Sequence, residues 1–459
     1  MDQPKKFDVI VIGSGAGLAI SSYAAQINLK AAVVEEGPMG GTCLNRGCIP
    51  SKLLIHHADV ANIIREADKF NIKAELKEID FPAIVDYVSK YVDEDSAKIE
   101  KGNINNPNIT LYKKRGSFVD NKILKVGDQL ITSDKIVIAA GARPNIPPIE
   151  GLKDAPYMTS KEALRLTTLP KKLIVIGGGY ISAELTHYFG SLGSQTTIFQ
   201  RGPVLVANED EEIAQTFTEV FSRRHNVLTN WAVKKVSHDG KEFTVTAQSK
   251  DDRDITEKAD QLLVALGVKP NSDTLAVEKA GIKINDRGYI EVNEYLETSV
   301  SGIWAFGDII GRNLFRHSAN WEANFVVQNI FGREKLAVDY TAMPHAVFSS
   351  PQIAGVGATE QELKNKGMKY QVGKYLYTNT AMGAALKEED GYVKMITDES
   401  GQKILGCHII GAEASTLIHE VLVAIKAANG NVSAIKNTVH IHPALSEVVQ
   451  RAFRQISPK

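Results

Sequence analysis

The stretch "VIVIGSGAG", residues 9–17, is a run of four β-branched residues that ends in a glycine-rich turn. The helix-like "LAISSYAAQINLK" follows it directly, and then a second short strand, "AAVVEE". Strand, glycine turn, helix and strand in that order form a βαβ unit, and the N-terminus of such a helix is suited to a pyrophosphate. Gly13 supplies the tight turn, and Gly15 lets backbone N–H groups approach the phosphates. Glu35, 22 positions after Gly13 at the end of the second strand, can hold both hydroxyls of an adenosine ribose. Leu18 stands where a third glycine is usual, which predicts a helix packed slightly further from its strand. The competing reading is a βαβ turn without a ligand.

The pattern returns in "KKLIVIGGGYISAELTHYFGSLGSQTTIFQRG", residues 171–202, so two nucleotide-binding folds are expected. Here Gly177 and Gly179 take the loop roles and Ser182 the third place. The position equivalent to Glu35 is Gln200, followed by Arg201. A carboxylate there would repel a 2′-phosphate; Gln-Arg removes the repulsion and adds a cation, favouring NADP(H) over NAD(H). The plain alternative is a solvated loop arginine. "NIPPIEG" (145–151) is a Pro-rich joint, and "KIVIAAGARP" before it has an echo in "QLLVALGVKP" at 261–270. After about residue 340 the strand-like "YQVGKYLYT" and "GYVKMITDESGQKILGCHIIG" precede the helical "ASTLIHEVLVAIKAANG" and "ALSEVVQRAFRQI", an α+β segment.

Over 459 residues the net charge is -1, with 43% hydrophobic and 23% charged side chains, which argues for neither a nucleic-acid nor a membrane surface. No cleavage-type leader and no apolar run of ~18 residues is present, so a cytoplasmic protein is expected. In that reducing setting, two of the three cysteines sit in "GGTCLNRGCIPSK", residues 40–52. In a regular helix, Cα atoms five residues apart lie roughly 8 to 9 Å from each other, beyond the ~7 Å limit of a disulfide. Gly40, Gly41 and Gly47 permit an irregular turn that closes the gap, and Pro50 fits the opening of the helix that follows. A disulfide so held is strained and made to open, with a helix N-terminus to stabilise the thiolates. Zinc would need two further ligands, His56 and His57 being the candidates, and no metal is expected. Two unrelated buried thiols are the other alternative. Cys407, within an apolar strand, reads as core.

"GGTCLNRGCIPSK" resembles the redox-active segment of the class I pyridine nucleotide-disulfide oxidoreductases, the family of dihydrolipoyl dehydrogenase, glutathione reductase and mycothione reductase. The similarity runs over essentially the whole chain. It implies an α/β fold with two Rossmann-like dinucleotide-binding domains and a C-terminal α+β dimerisation domain. By the resemblance, residues 1–148 and 271–340 would bind FAD, 149–270 NAD(P), and 341–459 would dimerise. FAD contacts would come from Gly13, Gly15, Glu35, Gly41, Thr42, Lys52, Gly141 and Asp308, the last in "GIWAFGD". Coenzyme contacts would come from Gly177, Gly179, Gln200, Arg201 and the gating Tyr180 of "GGGYISAE".

The resemblance also assigns chemistry. Glu184 would pair with Lys52 beside the flavin N5; Cys48 would face the flavin as the charge-transfer thiolate, and Cys43 would exchange with the substrate disulfide. "HIHPALSEVV" would supply His442 and Glu447 as an acid–base pair, reaching the cysteines from the second subunit of a homodimer. His440 lacks the following proline and the glutamate five places on, and is set aside. The implied activity is an FAD-dependent NAD(P)H:disulfide oxidoreductase acting on a small or lipoyl-type disulfide or dithiol. The alternative, a flavin-dependent transhydrogenase or oxidase, would not need both cysteines, and a scaffold would need neither them nor His442. Two departures stand out: Gly267-Val-Lys-Pro-Asn271 lacks the usual arginine, predicting a missing local contact, and Ala207 lies where NADPH-using relatives commonly have a second arginine.

Overall fold

The strand Val9–Ile12 occupies the middle of a five-stranded parallel sheet in the computed structural model, which describes residues 3–458. The sheet order is Ile303–Ala305, Ile136–Ile138, Val9–Ile12, Ala31–Val34, Ile109–Tyr112. The central strands are buried along their whole length, as near-continuous Val, Ile and Ala runs require of a sheet covered on both faces. Each buried Val or Ile there stabilises the sheet by about 1.5–3 kcal/mol.

The second glycine loop follows the strand Lys172–Ile176 of a four-stranded parallel sheet, ordered Asn226–Thr229, Gln195–Gln200, Lys172–Ile176, Gln261–Val264. In both sheets the glycine-loop strand lies between the strand its helix leads to and a strand that returns from later in the chain. Both loops therefore open at a topological switch point, beyond the carboxyl ends of the strands. The echo of "KIVIAAGARP" in "QLLVALGVKP" is the echo of these two returning strands.

Contacts divide the chain into two units. One holds the stretch ending at Leu53, Val85–Asn145 and Gly267–Asp339; the other holds Leu54–Ile84, Ile146–Leu266 and the stretch from Tyr340 onward. The first adds a four-stranded sheet made by Lys5–Lys6 and residues 116–132, and the short antiparallel pair Ala142–Pro144 and Val268–Pro270. The second adds a three-stranded antiparallel sheet, Trp231–His238, Phe243–Ser249 and Asp254–Ala259, and a six-stranded sheet with the helices Ala414–Ala427 and Glu447–Arg454. No described helix is long and apolar enough to cross a membrane.

Candidate active site

The two glycine loops are built alike. Gly13 has φ +102°, and a Cβ on it would lie 2.3 Å from the Ala139 carbonyl oxygen; Gly177 has φ +118°, and its Cβ would lie 2.3 Å from the Ala265 carbonyl oxygen. Glycine is thus required twice over, by conformation and by contact with the returning strand. The expectation from Leu18 is corrected. Close packing is achieved one residue earlier, at Gly17, where a Cβ would meet the Gly13 carbonyl oxygen at 2.6 Å and Val11 at 2.9 Å.

Glu35 sits at the end of its strand and accepts hydrogen bonds from Ser14 N–H at 2.9 Å, Ser14 Oγ at 2.8 Å and Gly37 N–H at 2.8 Å. Ser14 Oγ in turn accepts from Gly40 N–H at 3.1 Å, and a Cβ on Gly41 would come within 2.8 Å of Gly15 Cα. The cysteine segment therefore lies directly on the first loop. Ser14, which motif reading passed over, joins the acid, the loop and that segment.

Cys43 falls in the short helix Gly41–Arg46, and Cys48 opens the helix Cys48–Arg65. Gly47 breaks the path between them at φ -145° and ψ -120°, and a Cβ there would strike the Thr42 carbonyl oxygen at 2.9 Å. Asn45 ties the turn by donating to the Met39 and Gly41 carbonyls, each at 2.9 Å. Both cysteines are free thiols here, within hydrogen-bonding reach of each other. The bond from the Cys48 thiol brings Cys43 down to about 7; burial opposes it, and the Arg316 and Lys52 cations add to it. The same bond, with burial, pushes Cys48 far up. Cys407 is fully buried in the strand Ile404–Ile410.

A cavity of about 570 Å³ opens over this assembly, lined by Ser14, Gly15, Cys43, Leu44, Arg316 and Asn320 among others. The residues fit a dinucleotide. A Cβ on Gly15 would lie 3.6 Å from the Arg316 guanidinium, so a phosphate on the loop has a cation beside it, and nothing stands within 4 Å of a Cβ on Gly141. Asp308, lifted by burial to about 6, offers a carboxyl group that a sugar-alcohol hydroxyl can pair with. Thr42 is exposed at the edge of the cysteine turn.

At the second loop, Gln200 donates from Nε2 to the Val204 carbonyl at 2.9 Å, while Arg201 is exposed and pairs with nothing among the described residues. Ala207 is exposed as well. A Cβ on Gly179 would meet nothing within 4 Å, and the next residue, Tyr180, donates its phenol to Glu209. Glu184 is buried and accepts from Phe348 N–H at 3.0 Å. Val268 leaves no arginine on its own strand, but the stretch around Asn271 is held by an arginine from the neighbouring strand. Arg143, from the antiparallel partner strand, donates to the Pro270 carbonyl at 3.0 Å, to Asn271 Oδ1 at 3.0 Å and to Asp273 at 2.6 and 2.8 Å.

His442 Nδ1 is 3.1 Å from each carboxylate oxygen of Glu447, with its side chain 70% exposed. Arg451, one helical turn on, donates to Glu447 at 2.9 Å and is the main reason that carboxyl group is held at about 2; His442 adds to it. His440 also has a carboxylate, Glu420 at 2.9 Å, but is only 7% exposed and has its other ring nitrogen on the Thr438 carbonyl. Lack of an acid therefore does not distinguish the two histidines; accessibility does.

Two dinucleotide-type glycine loops, with a cysteine pair packed on the first, define a flavoprotein disulfide oxidoreductase. The chain belongs to the pyridine nucleotide-disulphide oxidoreductases, matching the family model over residues 7–345 and the model of the family's dimerisation domain over residues 343–453. FAD is the flavin of this family. The chain is 35% identical to the mycothione reductase of Mycobacterium tuberculosis over 460 residues, covering 97% of this chain and 98% of that one. It is also 35% identical to the dihydrolipoyl dehydrogenase of Chlamydia pneumoniae over 450 residues, covering 97% and 95%. Among solved structures, the HOCl-induced flavoprotein disulfide reductase RclA from Escherichia coli superposes with a TM-score of 0.87 at 27% identity, covering 98% of this chain and 99% of that one.

Proposed function

We propose that the protein is a cytoplasmic, homodimeric, NADPH-dependent reductase of a small disulfide. The observation that carries this reading is Arg201, an exposed guanidinium with no partner among the described residues, beside a glutamine where an NAD-type site has a carboxylate. In this reading, residues 1–148 and 271–340 form the FAD domain, 149–270 the coenzyme domain and 341–459 the dimerisation domain. The exposed apolar side chains just before His442, Val439 at 94% and Ile441 at 79%, support a face that a second copy covers.

The chemistry FAD would supply when bound is two-electron transfer linking the nicotinamide coenzyme to the Cys43–Cys48 disulfide. Gly13, Gly15, Gly41, Thr42, Gly141, Glu35 and Asp308 would hold FAD, and Gly177, Gly179, Tyr180, Gln200 and Arg201 the coenzyme. Lys52 would keep a positive charge near the redox centre, where it already lowers the pKa of the Cys43 thiol. Cys43, the thiol with the lowered pKa, attacks the substrate disulfide. The first leaving thiolate takes its proton from His442, whose Nδ1–H is fixed on Glu447 so that Nε2 carries the transferable proton. Cys48 then displaces the second thiol and the internal disulfide re-forms.

A dihydrolipoyl dehydrogenase-like activity is the second reading, favoured by the equal identity to that enzyme. Steady-state turnover of purified holoenzyme with NADPH and NADH against lipoamide, glutathione disulfide and mycothione disulfide decides. NADPH-preferring turnover of a low-molecular-weight disulfide is expected. An NADH-preferring enzyme active only on lipoamide would overturn the first reading in favour of the second.

A further inference from the structure

Glu209, His345 and His408 each present one ligand atom to a common point, the three atoms lying within 4.8 Å of one another. Among the described residues no other such group of His, Cys, Asp or Glu is found. The sequence separates them widely, and sheet register reunites two of them. His345 pairs across to Gly355, and Gly355 pairs across to His408, so both rings stand on one face with a glycine between them. A Cβ on Gly355 would lie 2.6 Å from His345 Nε2 and 3.0 Å from His408 Nδ1, so the space between the rings exists because residue 355 has no side chain.

His408 supplies the independent observation. It is fully buried, and its Nε2–H donates to the Ala358 carbonyl at 3.0 Å. That bond fixes the tautomer and leaves Nδ1 as a bare acceptor, which has no hydrogen-bond partner. An imidazole with one nitrogen on a backbone carbonyl and the other lone pair unused inside the protein has the arrangement of a metal ligand. Glu209, with a fully buried side chain, brings Oε2 to 2.8 Å from His345 Nε2 and keeps Oε1 on the Tyr180 phenol.

We propose that Glu209, His345 and His408 form a binding site for a divalent transition metal of the zinc class. Two imidazole nitrogens and one carboxylate oxygen make a donor set that suits this ion, with a position left for water. On binding, His345 carries its proton on Nδ1 and gives Nε2 to the ion, and Glu209 coordinates through Oε2. Tyr180 stays on Oε1 as an outer partner, which fixes the residue next to the second glycine loop. That last consequence alone rests on the coenzyme reading.

The test is equilibrium dialysis of Zn(II) against FAD-loaded protein carrying Cys43→Ser and Cys48→Ser, so that those thiols contribute nothing. One zinc per chain is expected. In this background, His345→Gln and Glu209→Ala should each weaken zinc binding by about tenfold to a hundredfold or more, with thermal melting of the zinc-free variants confirming the fold. His408→Asn should do the same; should it fail to fold, the variant at the partly buried His345 decides. Zinc uptake no tighter than in the His345→Gln, Glu209→Ala double variant, or affinity unchanged by either single substitution, overturns the site. A calorimetric titration of NADP+ with and without zinc separates the two readings: zinc binding with no coenzyme binding in either state would leave the metal site standing and remove the coenzyme reading.

Discussion

The hydrogen bond between Cys43 and Cys48 lowers the pKa of the Cys43 thiol and raises that of Cys48. Alkylation of the reduced holoenzyme by iodoacetamide should therefore rise through a midpoint at about 7, against roughly 8.5 for a free thiol. The sign follows from the lowered value: the thiolate is held above that pH and lost below it. Cys48→Ala should move the midpoint upward most, because that bond is the largest cause, and Arg316→Ala should move it upward less. An unmoved midpoint in Cys48→Ala would remove the bond as the cause. The family-implied roles put the charge on Cys48, against the flavin, when substrate chemistry occupies Cys43. Absorption spectra distinguish the sulfurs: Cys43→Ser should keep a long-wavelength thiolate-to-flavin band and Cys48→Ser should lose it. A band that survives without Cys48 would transfer that role to Cys43.

The strand Gln195–Gln200 and the loop after it act as one element, because the Gln200 amide holds the loop through the Val204 carbonyl and leaves Arg201 facing water. Replacing Gln200 with Glu places a carboxylate oxygen against that carbonyl, opening the loop, and repels a 2′-phosphate. Together with Arg201→Ala it should lower kcat/KM for NADPH by about 10- to 150-fold, the loss of a charged hydrogen bond worth roughly 1.5–3 kcal/mol, with NADH much less affected. Equal losses with both coenzymes would mean that the loop is merely structural. The sequence made this element legible because strand, glycine turn, helix and terminal side chain are local features at fixed spacing. The same locality exposed Gly13, Glu35, Gly47 and the His442–Glu447 pair. Contacts made through space stayed hidden. Arg143 reaches Asp273 from the partner strand, Glu420 comes to His440 from the helix Ala414–Ala427, and Gly355 becomes meaningful only when two strands flank it. Gly17 was legible in principle, since a glycine one place early in the motif still meets the strand. The sheet over residues 231–259 was too, as Phe243–Ser249 alternates buried and half-buried side chains with the period of a strand.

At the scale of the molecule, the question is where the proton for thiol exchange comes from. His442 has its Nδ1 fixed on Glu447, its ring 70% exposed, and the exposed apolar Val439 and Ile441 just before it in the chain. An oriented histidine on an exposed apolar face is placed to act on something brought to it, and in the proposed homodimer a second copy of the chain would supply both the cover and a thiol. His442→Gln should then cut disulfide turnover by about 10²-fold or more, while flavin reduction by the coenzyme stays fast because it uses no residue of this pair. A mixed dimer gives the stronger test. With Cys43→Ser in one subunit and His442→Gln in the other, a shared site has one intact combination: Cys43 of the second chain with His442 of the first. About half of wild-type activity should remain, since one of two sites is whole. Sites built within single subunits would each carry one lesion and leave almost none. An intact heterodimer without activity would therefore place the acid–base group in the same chain as the cysteines, and His440 is a poor substitute there, buried with both ring nitrogens already engaged.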